Sequence, residues 1–99
     1  MSRKVTLNVN DNPIELGFYV EQVVYHTAEG IIKSLQNTGD IKELELTAEK
    51  GKVTIILNGE RVSLKKFPML IITGILEGLV KHLKGVEGIP EKIEITVKQ

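Results

Sequence analysis

Three titratable side chains lie within five residues on one predicted helix, and they form the clearest candidate for chemistry in the sequence: Tyr25, His26 and Glu29. Titratable side chains that are grouped on one helix could act in general acid–base catalysis. Such a site also needs a pocket and an orienting partner, and the sequence indicates neither. We therefore interpret these side chains as a solvated helix face and predict no catalytic residue.

The second histidine, His82, has no companion of the same kind. A protein-bound metal ion usually has three or four protein ligands, and the chain contains no cysteine. We predict no metal site and no cofactor.

A row of acidic residues marks one face of the third predicted strand: Glu43, Glu45 and Glu49. Basic residues share that face of the predicted sheet, namely Lys50, Lys52, Arg61 and Lys98. Opposite charges on neighbouring strands stabilise a sheet, so we interpret the row as cross-strand charge pairs. A docking surface for a partner is the alternative.

Charge and composition restrict the classes of partner. The 13 basic and 13 acidic residues cancel, so there is no general positive field for a phosphate backbone, and we predict no nucleic-acid partner. The alternating start, Val5-Thr6-Leu7, does not suit a signal peptide. The longest apolar run, residues 68–72, is too short to span a bilayer. We predict a cytoplasmic protein with one domain, residues 1–99, and no membrane partner.

The sequence repeats itself at an interval of 48 residues. Residues 29–35 read EGIIKSL and residues 77–83 read EGLVKHL, while residues 44–47 return as 93–96 after one added residue. An internal repeat indicates two copies of one structural unit. We predict copies at about 4–49 and 52–98, each a hairpin followed by a helix and a strand, related by a pseudo-two-fold axis.

Alternating apolar residues predict strands that are joined by three tight turns. Two-residue loops at Asp11-Asn12, Lys50-Gly51 and Asn58-Gly59 each keep the apolar residues of the two flanking strands on one face. Asn-Gly is the dipeptide most typical of a type I′ turn, so we expect positive φ at both residues of the third loop.

Helical spacing predicts helices at about 18–37 and 66–84, the first of them ending at residues 37–40. The elements together predict an α+β two-layer sandwich. One mixed, mainly antiparallel sheet, in the strand order 5-4-3-6-1-2, is covered on one face by both helices. If the short strands at 14–16 and 62–64 are only lead-ins to the helices, the chain instead becomes a four-stranded, ferredoxin-like βαββαβ fold.

The second predicted helix is apolar at positions where the first is polar or small. A helix that is apolar all round must be covered on every side, and a two-layer sandwich covers only one. We therefore predict an interface with a second molecule at Met69, Leu70, Thr73, Leu76 and Val80.

This apolar excess favours a non-catalytic protein-interaction or assembly module that forms a homodimer or binds a different protein. The alternative is a small-ligand-binding regulatory domain, with its ligand held between the helices or at a dimer seam.

Two glycines occupy matching positions inside the two predicted helices, Gly30 and Gly78. A glycine inside a helix costs about 1 kcal/mol relative to alanine, so its repetition calls for a compensating contact. We predict that the helices lie antiparallel and cross where these two glycines meet.

Overall fold

The computed structural model describes residues 3–35 and 40–99, which contain six strands and two helices. In chain order these are β1 (Lys4–Val9), β2 (Asn12–Pro13), α1 (Phe18–Leu35), β3 (Glu43–Glu49), β4 (Lys52–Leu57), β5 (Glu60–Val62), α2 (Lys66–Val80) and β6 (Lys92–Lys98). The predicted last residues of the first helix and most of its predicted end signal fall in 36–39, outside the described residues.

The strands form one sheet in the order β2-β1-β6-β3-β4-β5, which is the predicted order. Every neighbouring pair is antiparallel, so the expectation of a mixed sheet was wrong. β1 and β3 run in the same direction, but β6 lies between them and separates them. Short strands are present at the two edges, at Asn12–Pro13 and Glu60–Val62 instead of the predicted 14–16 and 62–64, and they give six strands where the ferredoxin-like alternative has four.

Both helices pack on the same face of the sheet. Strand residues alternate between buried and more exposed, and the buried set joins the inward side chains of both helices in one apolar cluster. α1 lies over β1 and β6, and α2 lies over β3 and β4. Leu46, Ile55 and Ile95 are fully buried, and burial of each such side chain stabilises the fold by roughly 1.5–3 kcal/mol.

Two of the three predicted turns have the expected conformation. Lys50 and Gly51 have φ values of 51° and 79°, and Asn58 and Gly59 have φ values of 50° and 84°. Positive φ at both loop residues is the mark of a type I′ turn, whose twist matches that of the flanking strands. The strands on either side pair in the predicted register.

The first turn lies one residue earlier than predicted. Its loop is Asn10-Asp11, with φ values of 51° and 65°, so Val9 pairs with Asn12 and not with Ile14. The predicted loop was consistent with the apolar pattern, but it did not account for the bonds that the Asn10 side chain makes to another strand.

A similar asparagine side chain, that of Asn58, joins the third turn to the start of β3. Its Oδ1 atom accepts hydrogen bonds from the backbone N–H groups of Lys42 and Glu43, both at 2.8 Å. Its Nδ2 atom donates to the backbone carbonyl of Asp40 at 3.1 Å. The residue therefore fixes the chain as it enters β3.

Asn10 makes the corresponding set of bonds at the start of β6. Its Oδ1 atom accepts from the N–H groups of Glu91 at 2.8 Å and Lys92 at 2.9 Å, and its Nδ2 atom donates to the carbonyl of Ile89 at 3.1 Å. Asparagine tolerates the left-handed conformation that both turns require. Each strand that follows a helix is thus held by an asparagine from a neighbouring hairpin.

α2 ends at Val80, a full turn before the predicted end near residue 84. Beyond it, the N–H group of Leu83 donates to the carbonyl of Val80 at 3.0 Å, and that of Val86 donates to the carbonyl of Leu83 at 3.3 Å. These bonds span three residues and replace the helical four-residue pattern. Gly85, with a φ of 91°, then adopts a conformation that favours glycine.

Replacement of Gly59 by valine should lower the free energy of unfolding by about 1–2 kcal/mol, because a β-branched side chain is strained at positive φ. Glu60→Val places the same side chain on the next residue, in an exposed strand position where valine is favoured. Urea unfolding of both variants measures the difference. Equal stability of the two would contradict the assigned turn.

Candidate functional site

The side of α2 that faces the sheet is set by its buried residues. Ile72, Leu76 and Val80 are 4%, 0% and 0% exposed and belong to the apolar core. They recur every four residues, so they lie along one side of the helix. The opposite side of α2 faces away from the sheet.

That opposite side is apolar as well. Phe67, Leu70, Ile71 and Ile75 are 71%, 55%, 49% and 42% exposed. Two glycines lie among them and are also exposed. We call this surface the outward face of α2, and it consists of Phe67, Leu70, Ile71, Gly74, Ile75 and Gly78.

Two of the five predicted interface residues are wrong. Leu76 and Val80 are core residues of the chain itself, and no partner can reach them while the chain is folded. Met69 and Thr73 are half-buried at the flank of the helix, and only Leu70 lies on the outward face. Isoleucine and leucine follow one another so closely in this helix that spacing alone did not distinguish the inner side from the outer.

The sequence analysis missed Phe67, Ile71 and Ile75 as exposed residues. The repeat relates the inner sides of the two helices, but the sequence alone does not show which residues of α1 are buried. The buried residues of α1 include Val24, Ala28 and Ile32, and the 48-residue interval maps these onto the three buried positions of α2. With the inner side fixed in this way, the outward face follows from the helical repeat.

α1 packs on the same sheet with an outward face that is less apolar than that of α2. The positions on α1 that match the outward face of α2 carry Tyr19, Gln22, Val23, His26, Thr27 and Gly30. The two helices use the same inward positions, so the requirements of packing on the sheet are similar for both. The apolar outer residues of α2 are therefore not required by the fold.

The predicted contact between Gly30 and Gly78 is not found in the folded chain. Both residues are exposed, and a Cβ atom added to either would meet no atom of another element within 4 Å. The glycines lie on the outer side of their helices, because the inner side is taken by the larger apolar residues that contact the sheet. A leucine at Gly78 would have overpacked such a contact. Because the contact is absent, Gly78→Leu is not expected to cause overpacking within one chain.

A polar cleft of about 410 Å³ lies beside the last turns of α1. Its lining residues are Tyr25, Glu29, Lys33, Asp40, Ile41, Lys42 and Gln99. The lining contains two acidic and two basic side chains together with a phenol and an amide. This combination suits a small polar ligand that carries charges of both signs.

Tyr25 lies at the centre of this region and is only 6% exposed, so its interpretation as part of a solvated helix face was wrong. The Arg3 guanidinium lies 3.7 Å from the centre of its ring, within cation–π distance. The amide Nε2 of Gln99 lies 3.2 Å from the Tyr25 hydroxyl and donates to the carbonyl of Ile41 at 2.6 Å. These contacts join α1 to the ends of the two central strands.

Glu29 contacts three polar side chains of the same helix. Its carboxylate lies 3.2 Å from His26 Nδ1 and 3.4 Å from Lys33 Nζ, and the Tyr25 hydroxyl donates to it at 3.5 Å. The hydrogen bond with His26 is the main cause that lowers the pKa of Glu29, and Lys33 lowers it further against the opposing effect of partial burial. The predicted cluster of Tyr25, His26 and Glu29 is therefore present, because Glu29 contacts both of the other side chains.

Of the predicted acidic row on the open face of the sheet, Glu43 and Glu49 lie opposite lysines, whereas Glu45 lies opposite Ile56 and Thr96. Glu49 lies opposite Lys52 on one neighbouring strand and opposite Lys92 on the other. Lys92 Nζ also lies 3.1 Å from Asp11 Oδ1, and this hydrogen bond to a carboxylate raises the pKa of Lys92. Lys92 was not among the basic residues predicted for this face.

Histidine 82 is exposed just beyond α2, and in residues 3–35 and 40–99 no three His, Cys, Asp or Glu side chains are grouped so that they could hold a metal ion. Neither helix, as far as the structure describes them, combines the length and apolar character that crossing a membrane requires.

No protein-family model, no curated protein and no solved structure matches this chain. The function is therefore argued from the outward face of α2 and from the cleft beside Tyr25.

The Glu29 carboxyl should titrate below its ordinary pKa, and His26→Ala should move its midpoint upward, because the main hydrogen bond that favours the charged form is removed. Lys33→Ala should raise the midpoint by less. Carbon-detected NMR of the Glu29 carboxyl group measures both changes. A larger effect of Lys33→Ala would contradict the assigned cause.

The sign of the linked stability change follows from this direction. A carboxyl group whose pKa is lower in the folded than in the unfolded chain stabilises the fold at pH values above the unfolded-state pKa. That contribution of Glu29 is lost as the pH falls through its folded-state pKa, and His26→Ala should reduce it.

Proposed function

We propose that this chain is a non-catalytic interaction module that associates with a second copy of itself through the outward face of α2. The observation that carries the proposal is the exposure of four large apolar side chains on one side of one helix: Phe67, Leu70, Ile71 and Ile75. Scattered apolar residues are normal on a protein surface, but a contiguous patch marks an interaction site.

The comparison with α1 supports a functional origin for this patch. α1 uses the same inward positions for the core, and its matching outer positions include three polar residues, Gln22, His26 and Thr27. The exposed parts of the Leu70, Ile71 and Ile75 side chains add nothing to the stability of the folded chain while water surrounds them. Their transfer from water into an interface contributes about 25 cal/mol per Å² of apolar area.

The size of the patch agrees with a helix-mediated dimer. The four large side chains expose on the order of 400 Å² in total, which is in the range of functional surface patches. A standard interface buries ~800 Å² on each partner, with an apolar centre and a polar rim. The patch can supply the centre, and charged residues beside it, Lys66 and Glu77, can supply part of the rim.

We also propose that the fold arose by duplication of a hairpin–helix–strand unit with pseudo-two-fold symmetry. Support comes from the matching bonds of Asn10 and Asn58 and from the equal order of elements in the two halves. In this view one half kept a polar outer helix face, and the other acquired the interface. A cytoplasmic location remains a proposal that suits a chain without cysteine.

Wild-type protein should run as a dimer at micromolar concentration, and Ile71→Glu should give a folded monomer, because a charge at the centre of an interface is costly to bury. Ile56→Glu makes the same change at a half-buried position on the open face of the sheet, and it should leave the dimer intact. Light scattering during gel filtration measures the mass, and circular dichroism checks the fold. A monomeric wild type would refute the proposal.

A second candidate function is the binding of a small ligand in the cleft beside Tyr25. The specific observation is the presence of Glu29 and Asp40 together with Lys33 and Lys42 around one opening. These charges complement a zwitterion such as a free amino acid.

A thermal-shift screen of amino acids against uncharged analogues tests this second function. We expect a rise in Tm for a zwitterion only, and its loss in the Lys42→Ala variant. Lys84→Ala, which removes an exposed lysine outside the cleft, serves as the control. Equal shifts with the uncharged analogues would contradict the assignment.

A further inference from the structure

We infer that α2 pairs with α2 of a second copy in an antiparallel arrangement, about a two-fold axis close to Ile71. In this register Lys66 of each copy lies against Glu77 of the other. The inference rests on the proposed self-association, and it adds the orientation and register of the partner.

Two charges of α2, those of Lys66 and Glu77, are placed against the dipole of their own helix, whereas Lys81 at the C-cap agrees with it. Lys65 and Lys66 stand at its N-terminus, its first turn has no acidic residue, and Glu77 lies in its last turn. Positive charge is unfavourable at a helix N-terminus and negative charge at a C-terminus. α1 has the favourable arrangement, with Glu21 in its first turn and Lys33 in its last.

An antiparallel partner offsets both unfavourable charges. Lys66 and Glu77 are eleven residues apart, which is about three helical turns, so they lie on the same side of the helix. A two-fold axis perpendicular to the helices brings that side of one copy to the same side of the other with its direction reversed. Each Lys66 then meets a Glu77, whereas a parallel pair would place equal charges at the same level.

The same register places a large side chain opposite two small ones. If Lys66 is level with Glu77 of the second copy, Phe67 is level with position 76. The outer positions on either side of that level are Gly74 and Gly78, where a Cβ atom would meet open space. Phe67 is 71% exposed in the single chain, and its ring fits between the two glycines of the second copy, twice by symmetry.

A charge exchange tests the register. Sedimentation equilibrium in low salt should show a dimer dissociation constant raised at least about fivefold by Lys66→Glu and by Glu77→Lys, since each change puts like charges together at two places. The double variant Lys66→Glu/Glu77→Lys should return to within about twofold of wild type. Each single change improves the match with the helix dipole, so unfolding of the monomer does not explain a loss of the dimer.

The outcomes separate this inference from the proposed function. A monomeric wild type would overturn both. A dimer that the single exchanges leave unchanged, or that the double variant fails to restore, would overturn the register alone.

Single cysteines give a second test, because the chain has none of its own. In the inferred register the two copies of residue 71 are offset along the helix by only about 1.5 Å, and those of residue 78 by about 20 Å. Disulfide formation needs Cα atoms within roughly 7 Å. Ile71→Cys should therefore cross-link on oxidation and Gly78→Cys should not, whereas efficient cross-linking of Gly78→Cys would show a parallel pair.

Discussion

The insertion of β6 between β1 and β3 is the constraint on which the rest of the structure depends. This strand comes last in the chain, yet it lies at the centre of the sheet, and its residues Ile93, Ile95 and Val97 are almost fully buried. Without it the sheet would divide into two separate hairpin regions, each too small to hold a helix. The two asparagine side chains act at this centre, because Asn10 fixes the start of β6 and Asn58 the start of β3.

Because β6 lies at the centre of the sheet, the two helices have equal structural roles, although their outer surfaces differ. Each helix covers one half of the same sheet face with the same inward positions, and Gly30 and Gly78 do not join the two helices, because both face open space. The outer positions are therefore free of the demands of folding. On α1 they carry a mixture of polar and apolar residues, and on α2 they carry the apolar outward face.

The glycines of α2 weaken the helix locally, and in our proposal their small size allows a contact with a second chain. Gly74 and Gly78 weaken the helix by about 1 kcal/mol each relative to alanine. Nothing inside the chain requires their small size. A second helix can approach closest where side chains are absent, so in the proposed symmetric pair these positions would be complementary to the exposed ring of Phe67. The same pair would offset the unfavourable placement of Lys66 and Glu77.

The sequence by itself determined the four long strands, the order of the six strands in the sheet and two of the three turns, but it placed the edge strand β2 at 14–16, where the structure has Asn12–Pro13. Alternation places the apolar residues of each strand on one face, apart from Ile56 on the open face, and a one-residue slip would expose that buried set, so the register of β3 and β4 followed from the pattern. The repeat then placed β6 beside β1. The residues that form the apolar excess of α2 were also visible, although not the side of the helix to which each belongs.

Only the tertiary structure decided how α2 is rotated about its axis. Ile71, Ile72, Ile75 and Leu76 are adjacent and of similar hydrophobicity, so their spacing fits either pair facing the sheet. Packing against β3 and β4 selects Ile72 and Leu76, because close packing in a core depends on side-chain shape and direction, to which hydrophobic periodicity is insensitive. The position of the first turn was decided in the same way, by bonds from Asn10 to a strand more than eighty residues away in the sequence.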